Sequence, residues 1–280
     1  MAQLLDGKVL SAEVMENLKA RVEALKAKGV TPGLAVILVG DDPASQIYVR
    51  NKGKACEELG IRSETIRMSG DTTQQELEDT IERLNRDDGI DGILVQLPLP
   101  KHLDEPAALA KIIPEKDADG FHLLNCGKLL CSLPGTQPCT PKGIMYMLKS
   151  AGIPLSGKEA VVIGRSNIVG KPVAMMLLQE NCTVTVCHSR TQDLASHTRR
   201  ADILVAAVGK AKFVTADMVK DGAVVIDVGI NRLDGKVVGD VDFENVAPKA
   251  SFITPVPGGV GKMTICMLML NCVEAAEKRA

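Results

Sequence analysis

The 280-residue chain is predicted to fold as two α/β domains, each built on a mainly parallel β-sheet. Continuous apolar runs alternate with amphipathic helical segments, a pattern typical of parallel strands that helices cover on both faces. The apolar run 159–164 ends in Gly164, and a compact polar loop then leads to Gly170, Lys171 and Pro172. A strand, a tight turn and a helix start in this order favour binding of an anion such as a dinucleotide pyrophosphate. The C-terminal domain is therefore predicted to be of the Rossmann type.

The N-terminal half supplies the first alternating series. Apolar residues recur at three- and four-residue steps over 8–28, which predicts an amphipathic helix that Gly29 ends. Strands are predicted at 34–40, 61–68 and 92–98, and further helices at 44–59, 71–85 and 105–112. Residues 113–140 lack a clear period, so we place the domain boundary there, with an N-terminal domain at 1–138.

The second series begins with a helix start at Cys139, where Thr140 is the predicted cap and Pro141 the first helical residue. Strands are predicted at 159–164, 183–187, 203–208 and 223–228, and helices at 171–180 and 191–200. These elements define a dinucleotide-binding domain at 139–261. The terminal helix, about 262–278, is apolar on nearly all sides over its first half, so it must be buried. We expect residues 262–280 to pack back on the N-terminal domain.

The composition argues against a nucleic-acid-binding protein, a membrane protein and a disulfide-rich secreted protein. Lysine and arginine together number 33 against 35 acidic residues, which gives no electrostatic case for nucleic-acid binding. The most apolar stretch, 263–273, is about half of the roughly 20 residues that a membrane span needs, and no signal pattern begins the sequence. The eight cysteines include no C-x-x-C pair and mostly lie in apolar runs. We expect a cytoplasmic protein with reduced cysteines, no metal site and no membrane partner.

The turn at 164–172 also predicts which dinucleotide binds. Ser166 stands where the usual fingerprint has its second glycine. About 20 residues after Gly164, where an NAD site carries an acid, the sequence has Ser189 and Arg190 and no acid. Arg165 and Arg190 with a serine hydroxyl suit a ribose 2′-phosphate, which indicates NADP. The alternatives are solvated surface arginines and a turn that binds nothing.

Chemically active side chains also follow the strands of the N-terminal half. Tyr48 and Lys52 are four residues apart on a helix that begins just after a strand, so they share one helix face. Gln96 ends another strand, and Asp119 lies in the loop after the next helix. Open α/β sheets bind ligands at this carboxyl edge, so the four side chains form a candidate catalytic site. The alternatives are a solvated Tyr/Lys pair and a turn aspartate before Gly120.

A glycine-rich loop, residues 257–261, precedes the terminal helix. Its sequence is Pro257-Gly258-Gly259-Val260-Gly261. Three glycines permit close approach of the main chain to a planar ligand or a phosphate. A tight loop that only packing requires is the alternative.

Taken together, these motifs resemble the bifunctional methylenetetrahydrofolate dehydrogenase/methenyltetrahydrofolate cyclohydrolase family over essentially the whole chain. Residues 45–52 resemble its substrate-site helix, 95–100 its signature strand end and 116–120 its pterin-contacting loop. Residues 164–172 match its cofactor turn, in which serine replaces the second glycine, and 257–261 are similar to its folate-side loop.

The resemblance implies NADP-dependent oxidation of 5,10-methylenetetrahydrofolate, followed by hydrolysis of the methenyl product to 10-formyltetrahydrofolate. One-carbon metabolism, purine biosynthesis, a homodimer and an active-site cleft between the two domains are implied with it. Lys52 would be the catalytic base or proton shuttle, and Gln96 would support it. Tyr48 would stack on the folate, and Asp119 would hold the pterin ring.

The resemblance also implies the binding residues. Val95, Leu97 and the loop 257–261 would contact the folate beside the four catalytic side chains. Ile230 would contact the cofactor, together with the residues of the turn and of the strand end described above: Gly164, Arg165, Ser166, Ser189 and Arg190.

Two other functions fit a two-domain α/β layout. One is a dehydrogenase that lacks the hydrolytic step or acts on an amino acid or a shikimate-like substrate. The other is a dinucleotide sensor without catalysis, although a sensor has no need of a base such as Lys52.

Overall fold

The structure, a computed structural model, describes residues 2–280. The strands in chain order are β1 (Gln3–Leu4), β2 (Gly33–Val39), β3 (Arg62–Met68), β4 (Gly92–Val95), β5 (Glu159–Ile163), β6 (Thr183–Cys187), β7 (Ile203–Ala206), β8 (Val224–Asp227), β9 (Asn231–Leu233), β10 (Lys236–Val238) and β11 (Phe252–Ile253). The helices are α1 (Gly7–Ala27), α2 (Pro43–Leu59), α3 (Gln74–Arg86), α4 (Glu105–Lys111), α5 (Leu123–Leu130), α6 (Cys139–Ser150), α7 (Gly170–Gln179), α8 (Leu194–Thr198), α9 (Phe243–Val246) and α10 (Val260–Arg279). One 3₁₀ turn spans Ala216–Met218.

The chain divides into two compact units, which we name by their sheets. The three-stranded unit comprises residues 13–139 and 265–280, and the six-stranded unit comprises residues 2–12 and 140–264. The strands within both sheets are parallel and alternate with helices along the chain, so the predicted α/β class is confirmed.

The three-stranded unit contains a parallel sheet of order β3-β2-β4. All residues of β2 and β4 are buried, as their continuous apolar sequences require. Leu77, Ile81 and Leu84 lie on one face of α3 and join the core formed by alternate residues of β2 and β4. β4 is shorter than predicted. The Gln96 N–H still donates to the Ile37 carbonyl (2.8 Å), but Pro98 has no N–H to extend the pairing.

Helix α2 has defined ends, and these set the position of the side chains that it carries. The Asp42 carboxylate accepts the Ser45 N–H (2.7 Å), and Pro43 occupies the first turn. Gly60 ends the helix in a left-handed conformation (φ 69°) that a glycine adopts at little cost. The helix therefore runs away from the carboxyl end of β2, with Tyr48 and Lys52 in its first three turns.

The six-stranded unit contains a parallel sheet of order β1-β11-β8-β7-β5-β6. From β5 the chain moves first to β6 on one side and then to β7 and β8 on the other. The carboxyl end of β5 is therefore the topological switch point at which doubly wound sheets bind dinucleotides. Gly164 follows β5 at this point.

Several short elements were not predicted from the sequence: β1, β11, the β9–β10 hairpin and α5. β1 and β11 contain two residues each, and their pairing depends on partners far away in the sequence. Helix α8 begins three residues later than predicted. The Thr191 hydroxyl accepts the His188 N–H (2.9 Å), and Asp193 adopts a left-handed backbone conformation (φ 43°) before the helix starts.

Most of the first half of the terminal helix α10 is buried or half-buried, as predicted, and only Gly261 and Lys262 at its start are exposed. Met263, Cys266, Met267, Leu268 and Met269 are at most 1% exposed. Among the described residues, every helix is too short or too polar to cross a bilayer.

Candidate active site

The three-stranded unit brings Lys52 and Gln96 into direct contact. Lys52 is 9% exposed, and its Nζ donates a hydrogen bond to Gln96 Oε1 (2.9 Å). Gln96 Nε2 donates to the carbonyl oxygen of Leu97 (2.8 Å), so its amide oxygen is directed at the lysine. A glutamine at the end of the apolar run of β4 thus has the partner that a shielded polar side chain requires.

Asp119 is the charged neighbour of Lys52. Burial lowers the pKa of Lys52, and the negative charge of Asp119 opposes that change. Burial raises the pKa of Asp119, and the positive charge of Lys52 opposes this in turn. Desolvation therefore drives both groups towards their neutral forms. A lysine whose pKa is lowered is neutral, and so able to accept a proton, at lower pH than an exposed lysine.

The remaining predicted folate residues of this unit lie beside that pair. Tyr48 is one helical turn before Lys52, and its side chain is 39% exposed, so its ring is open to a ligand. Val95 is buried at the end of β4, and Leu97 is half-buried. The main chain between β4 and Pro98 therefore presents Gln96 and Leu97 at the carboxyl edge of the sheet.

Asp117 stabilises the loop that carries Asp119 by accepting hydrogen bonds from it, a role that was not predicted from the sequence. One carboxylate oxygen accepts the N–H groups of Gly120 (3.0 Å) and Phe121 (3.2 Å). The other accepts the His122 N–H (2.9 Å) and Asn125 Nδ2 (2.8 Å). Asp117 is 3% exposed. An aspartate three residues before a glycine is the available sequence signal, because aspartate often closes a turn in this way.

Cys139 and Asn271 hold the same loop from distant parts of the chain. The Cys139 thiol donates to the Ala118 carbonyl (3.4 Å), and its hydrogen bond to Asp119 partly offsets the raised pKa of that carboxyl. Asn271 Nδ2 on α10 donates to the carbonyl oxygens of Ala118 (2.9 Å) and Gln137 (3.0 Å). In the sequence, Cys139 indicates only a helix start, and Asn271 is one polar residue in an apolar helix.

The turn after β5 in the six-stranded unit is closed by glycines and by Ser166. Gly164 has a φ of 126°, and a Cβ there would collide with the carbonyl of Ala207. The Ser166 hydroxyl oxygen accepts the N–H groups of Val169 (3.2 Å) and Gly170 (3.3 Å) at the start of α7. Serine therefore organises the turn in which the usual fingerprint has a glycine.

The predicted cofactor residues lie after three strands of the same sheet. Arg165 follows β5, and Ser189 and Arg190 follow the neighbouring β6; all three are exposed. Ile230 follows β8 and is 53% exposed. The segment 188–192, which contains Ser189 and Arg190, has no acidic residue, so this edge suits a dinucleotide that carries a 2′-phosphate.

The loop 257–261 also belongs to the six-stranded unit. Gly258 has a φ of 108°, and a Cβ on Gly259 would collide with the carbonyl of Pro255, so the fold of the loop requires both glycines whether or not a ligand binds. Gly261 is exposed, and the terminal methyl group of Ile230 lies 3.4 Å from the position of a Cβ on it. The structure thus brings together one predicted cofactor contact and one predicted folate contact. Within residues 2–280, no cluster of histidine, cysteine and acidic side chains is arranged to hold a metal ion.

Two family models match the chain. Residues 5–119 match the catalytic domain of tetrahydrofolate dehydrogenase/cyclohydrolase, and residues 138–280 match its NAD(P)-binding domain. The bifunctional protein FolD of Moorella thermoacetica is 60% identical over 278 residues, which cover 99% of each chain.

Solved structures agree with the family models. The bifunctional enzyme FolD, methylenetetrahydrofolate dehydrogenase/cyclohydrolase, of Campylobacter jejuni is 55% identical, with a TM-score of 0.99 and coverage of 100% of both chains. The methylenetetrahydrofolate dehydrogenase-cyclohydrolase of Trypanosoma brucei, complexed with NADP cofactor and inhibitor, is 40% identical. Its TM-score is 0.95, with coverage of 99% of this chain and 98% of that one. The chain therefore belongs to the tetrahydrofolate dehydrogenase/cyclohydrolase family.

Proposed function

We propose that this protein is a bifunctional enzyme of one-carbon metabolism. It oxidises 5,10-methylenetetrahydrofolate to the 5,10-methenyl compound with NADP and then hydrolyses that product to 10-formyltetrahydrofolate. The observation that carries the proposal is the buried Lys52, which is hydrogen-bonded to Gln96 and interacts electrostatically with Asp119. A chain that only bound a dinucleotide would have no use for a lysine desolvated in this way.

In the oxidation, the protein binds and aligns the reactants. When bound, NADP supplies a nicotinamide that accepts a hydride. The turn closed by Ser166 offers the helix N-terminus of α7 to the pyrophosphate, and Arg165, Ser189 and Arg190 would hold the 2′-phosphate. Tyr48 would stack on the folate ring, and Asp119 would form a hydrogen bond with the pterin ring. Alignment of this kind is the main contribution that hydride transfer requires.

In the hydrolysis, Lys52 acts as the base. Water attacks the cationic methenyl carbon, and a C–O bond forms as neutral Lys52 takes one proton of the water. The C–N bond on one side then breaks as the new hydroxyl group loses its proton and becomes the formyl C=O. The protonated Lys52 gives its proton to the departing nitrogen, and the hydroxyl proton is released to solvent, so that the cationic substrate yields one neutral product and one proton. Burial of Lys52 and the positive charge of the methenyl substrate both favour the neutral lysine that this step requires. Gln96 keeps Nζ in place through its amide oxygen.

The proposal is tested with the purified full-length chain. We expect NADP-dependent oxidation of methylenetetrahydrofolate and hydrolysis of the methenyl compound; absence of both rates would refute the folate assignment. Lys52→Met is expected to abolish hydrolysis. Lys54→Met is the matched control, because Lys54 lies on the same helix and is exposed. Hydrolysis at the wild-type rate by Lys52→Met would remove Lys52 from the mechanism.

We further propose that the enzyme acts in the cytoplasm as a homodimer and supplies 10-formyltetrahydrofolate to purine biosynthesis. Within residues 2–280 none of the eight cysteines forms a disulfide, and six of them are buried, which suits a reducing compartment. Sedimentation of the purified protein tests the dimer, and a single monomeric species at micromolar concentration would contradict it.

A further inference from the structure

Two buried carboxylates, those of Asp227 and Asp240, lie close together at the carboxyl edge of the six-stranded sheet. Asp227 is the last residue of β8 and is 3% exposed, and Asp240 follows the β9–β10 hairpin and is fully buried. Neither belongs to the predicted site. Buried carboxylates are costly unless polar groups surround them, so their partners show what they stabilise.

Asp240 binds two loops at once. One of its carboxylate oxygens accepts the N–H groups of Val208 (2.6 Å) and Gly209 (2.9 Å), in the loop after β7. The other accepts the Lys210 N–H (2.8 Å) from that loop and Asn231 Nδ2 (2.9 Å) from the end of the loop after β8. Four N–H donors to one carboxylate fix the loops 207–210 and 228–231 relative to each other.

Asp227 in turn accepts hydrogen bonds from the main chain on which Asp240 lies. Its carboxylate accepts the N–H groups of Gly229 (3.0 Å), Asp240 (2.8 Å) and Val241 (2.9 Å). A Cβ on Gly229 would collide with the Asp240 carboxylate, and one on Gly239 would collide with that of Asp227. The backbone thus leaves room for both side chains only because these two positions are glycine.

The order of the strands indicates which part of a dinucleotide these loops receive. Ser189 and Arg190, the residues suited to the 2′-phosphate, follow β6, and the phosphate-binding turn follows β5. β7 and β8 continue the sheet on the other side of β5. A dinucleotide whose adenosine end lies at β6 and whose pyrophosphate lies at β5 therefore extends its nicotinamide end over the loops after β7 and β8.

We propose that Asp240, held by Asp227, is a positioning residue that shapes the loops 207–210 and 228–231 to receive the nicotinamide half of NADP. The proposal rests on the proposed function. In Asp240→Asn, one carboxylate oxygen becomes an NH₂ group that faces main-chain N–H donors and cannot accept from them. The loops then lose their fixed arrangement, while the turn after β5 and the residues after β6 keep theirs.

The test compares two ligands on the full-length protein by calorimetry. For Asp240→Asn we expect the Kd of NADP to rise by roughly tenfold or more. We expect the Kd of 2′,5′-ADP, which lacks the nicotinamide half, to stay within about twofold of wild type. Equal weakening of both ligands would show a merely structural role and overturn the proposal, and so would unchanged NADP affinity. A wild-type chain that binds no NADP would instead refute the proposed function.

Two further variants complete the experiment. Asp202→Asn is the matched control, because Asp202 precedes β7 at its opposite end, where it accepts Lys220 Nζ (2.6 Å) and the Glu159 N–H (3.0 Å). It is expected to bind both ligands as wild type does. If Asp240→Asn does not fold, Asn231→Ala removes only one donor, and a selective loss of NADP affinity is again expected. Equal loss of both ligands in that variant, or no loss, would overturn the proposal.

Discussion

At the scale of single residues, the charge state of Lys52 is the property that the site controls. Burial favours the neutral amine, whereas the negative charge of Asp119 favours the ammonium. The balance between these opposing effects sets the pH above which Lys52 can accept a proton. Replacing Asp119 or Gln96 should therefore shift the acid limb of the pH–rate profile for hydrolysis. The change in charge at the replaced residue sets the direction of that shift.

Asp119→Asn removes the negative charge that raises the pKa of Lys52. That pKa should fall further, so neutral lysine should persist at lower pH. We expect the acid limb of kcat for hydrolysis of the methenyl compound to move to lower pH at saturating substrate, while KM rises because the pterin loses a partner. A pH series of initial rates measures the limb, and its movement to higher pH would contradict the coupling.

Gln96→Glu makes the opposite change, because it places a carboxylate where Oε1 now lies 2.9 Å from Lys52 Nζ. An anion at hydrogen-bond distance stabilises the ammonium and raises the pKa of Lys52. We expect hydrolysis at neutral pH to fall by roughly tenfold or more, with its acid limb at higher pH. Gln96→Leu is the companion variant without a charge; if it shifts the limb as far upwards as Gln96→Glu does, charge is not the cause.

At the scale of elements, replacing two glycines by alanine should change stability in opposite directions: Gly53 within α2, and Gly60, which follows its last residue. Gly60 ends the helix with a φ of 69°, so Gly60→Ala should lower the free energy of unfolding by about 1 kcal/mol. Gly53 lies within the helix with open space around a Cβ, so Gly53→Ala should raise it by about 0.5–1 kcal/mol. Urea unfolding of both variants measures the difference, and a change of the same sign in both would contradict the argument.

How far the sequence predicted the structure depended on the length of each element and on the location of its partners. β2 and α3 were predictable because their burial patterns are local. Helix α5 was not, because it is short and lacks a period. The β9–β10 hairpin was also missed, although Asp234-Gly235, both with positive φ, is a typical two-residue hairpin turn. In the site, Gln96 was identifiable as a polar residue in an apolar run. Asn271 was not, because its bond to Ala118 joins residues 153 positions apart.

At the scale of the whole molecule, each unit uses buried aspartate to organise the loops that carry its predicted ligand contacts. Asp117 closes the loop of Asp119 with three main-chain N–H groups and an asparagine amide. Asp240 binds the loops after β7 and β8 with the same set of donors. A carboxylate can satisfy several N–H groups of an irregular loop at once, which water otherwise does. Loops at a ligand-binding edge can therefore be rigid without regular secondary structure.

The stability of the folded chain should carry a pH signature of Asp227. Burial raises its pKa to about 6, although its three main-chain donors oppose that rise. The pKa of an aspartate in the unfolded chain is about 3.9, so the folded state binds this proton more tightly. The stability from this proton is complete below the unfolded pKa and is lost as pH rises through the folded pKa, a change of about 3 kcal/mol.

Asp227→Asn should abolish this dependence, because an amide does not titrate. The comparison uses the free energy of unfolding of the wild type minus that of the variant, measured by urea unfolding at about pH 4 and about pH 8. That difference should be smaller at pH 8 by about 2.4 kcal/mol, because the unfolded chain is already half ionised at pH 4. Lost hydrogen bonds in the variant add the same amount at both pH values and so leave the change intact. A difference that does not vary with pH would mean that the donors of Gly229, Asp240 and Val241 outweigh burial, and that Asp227 is ionised in the folded protein throughout this range.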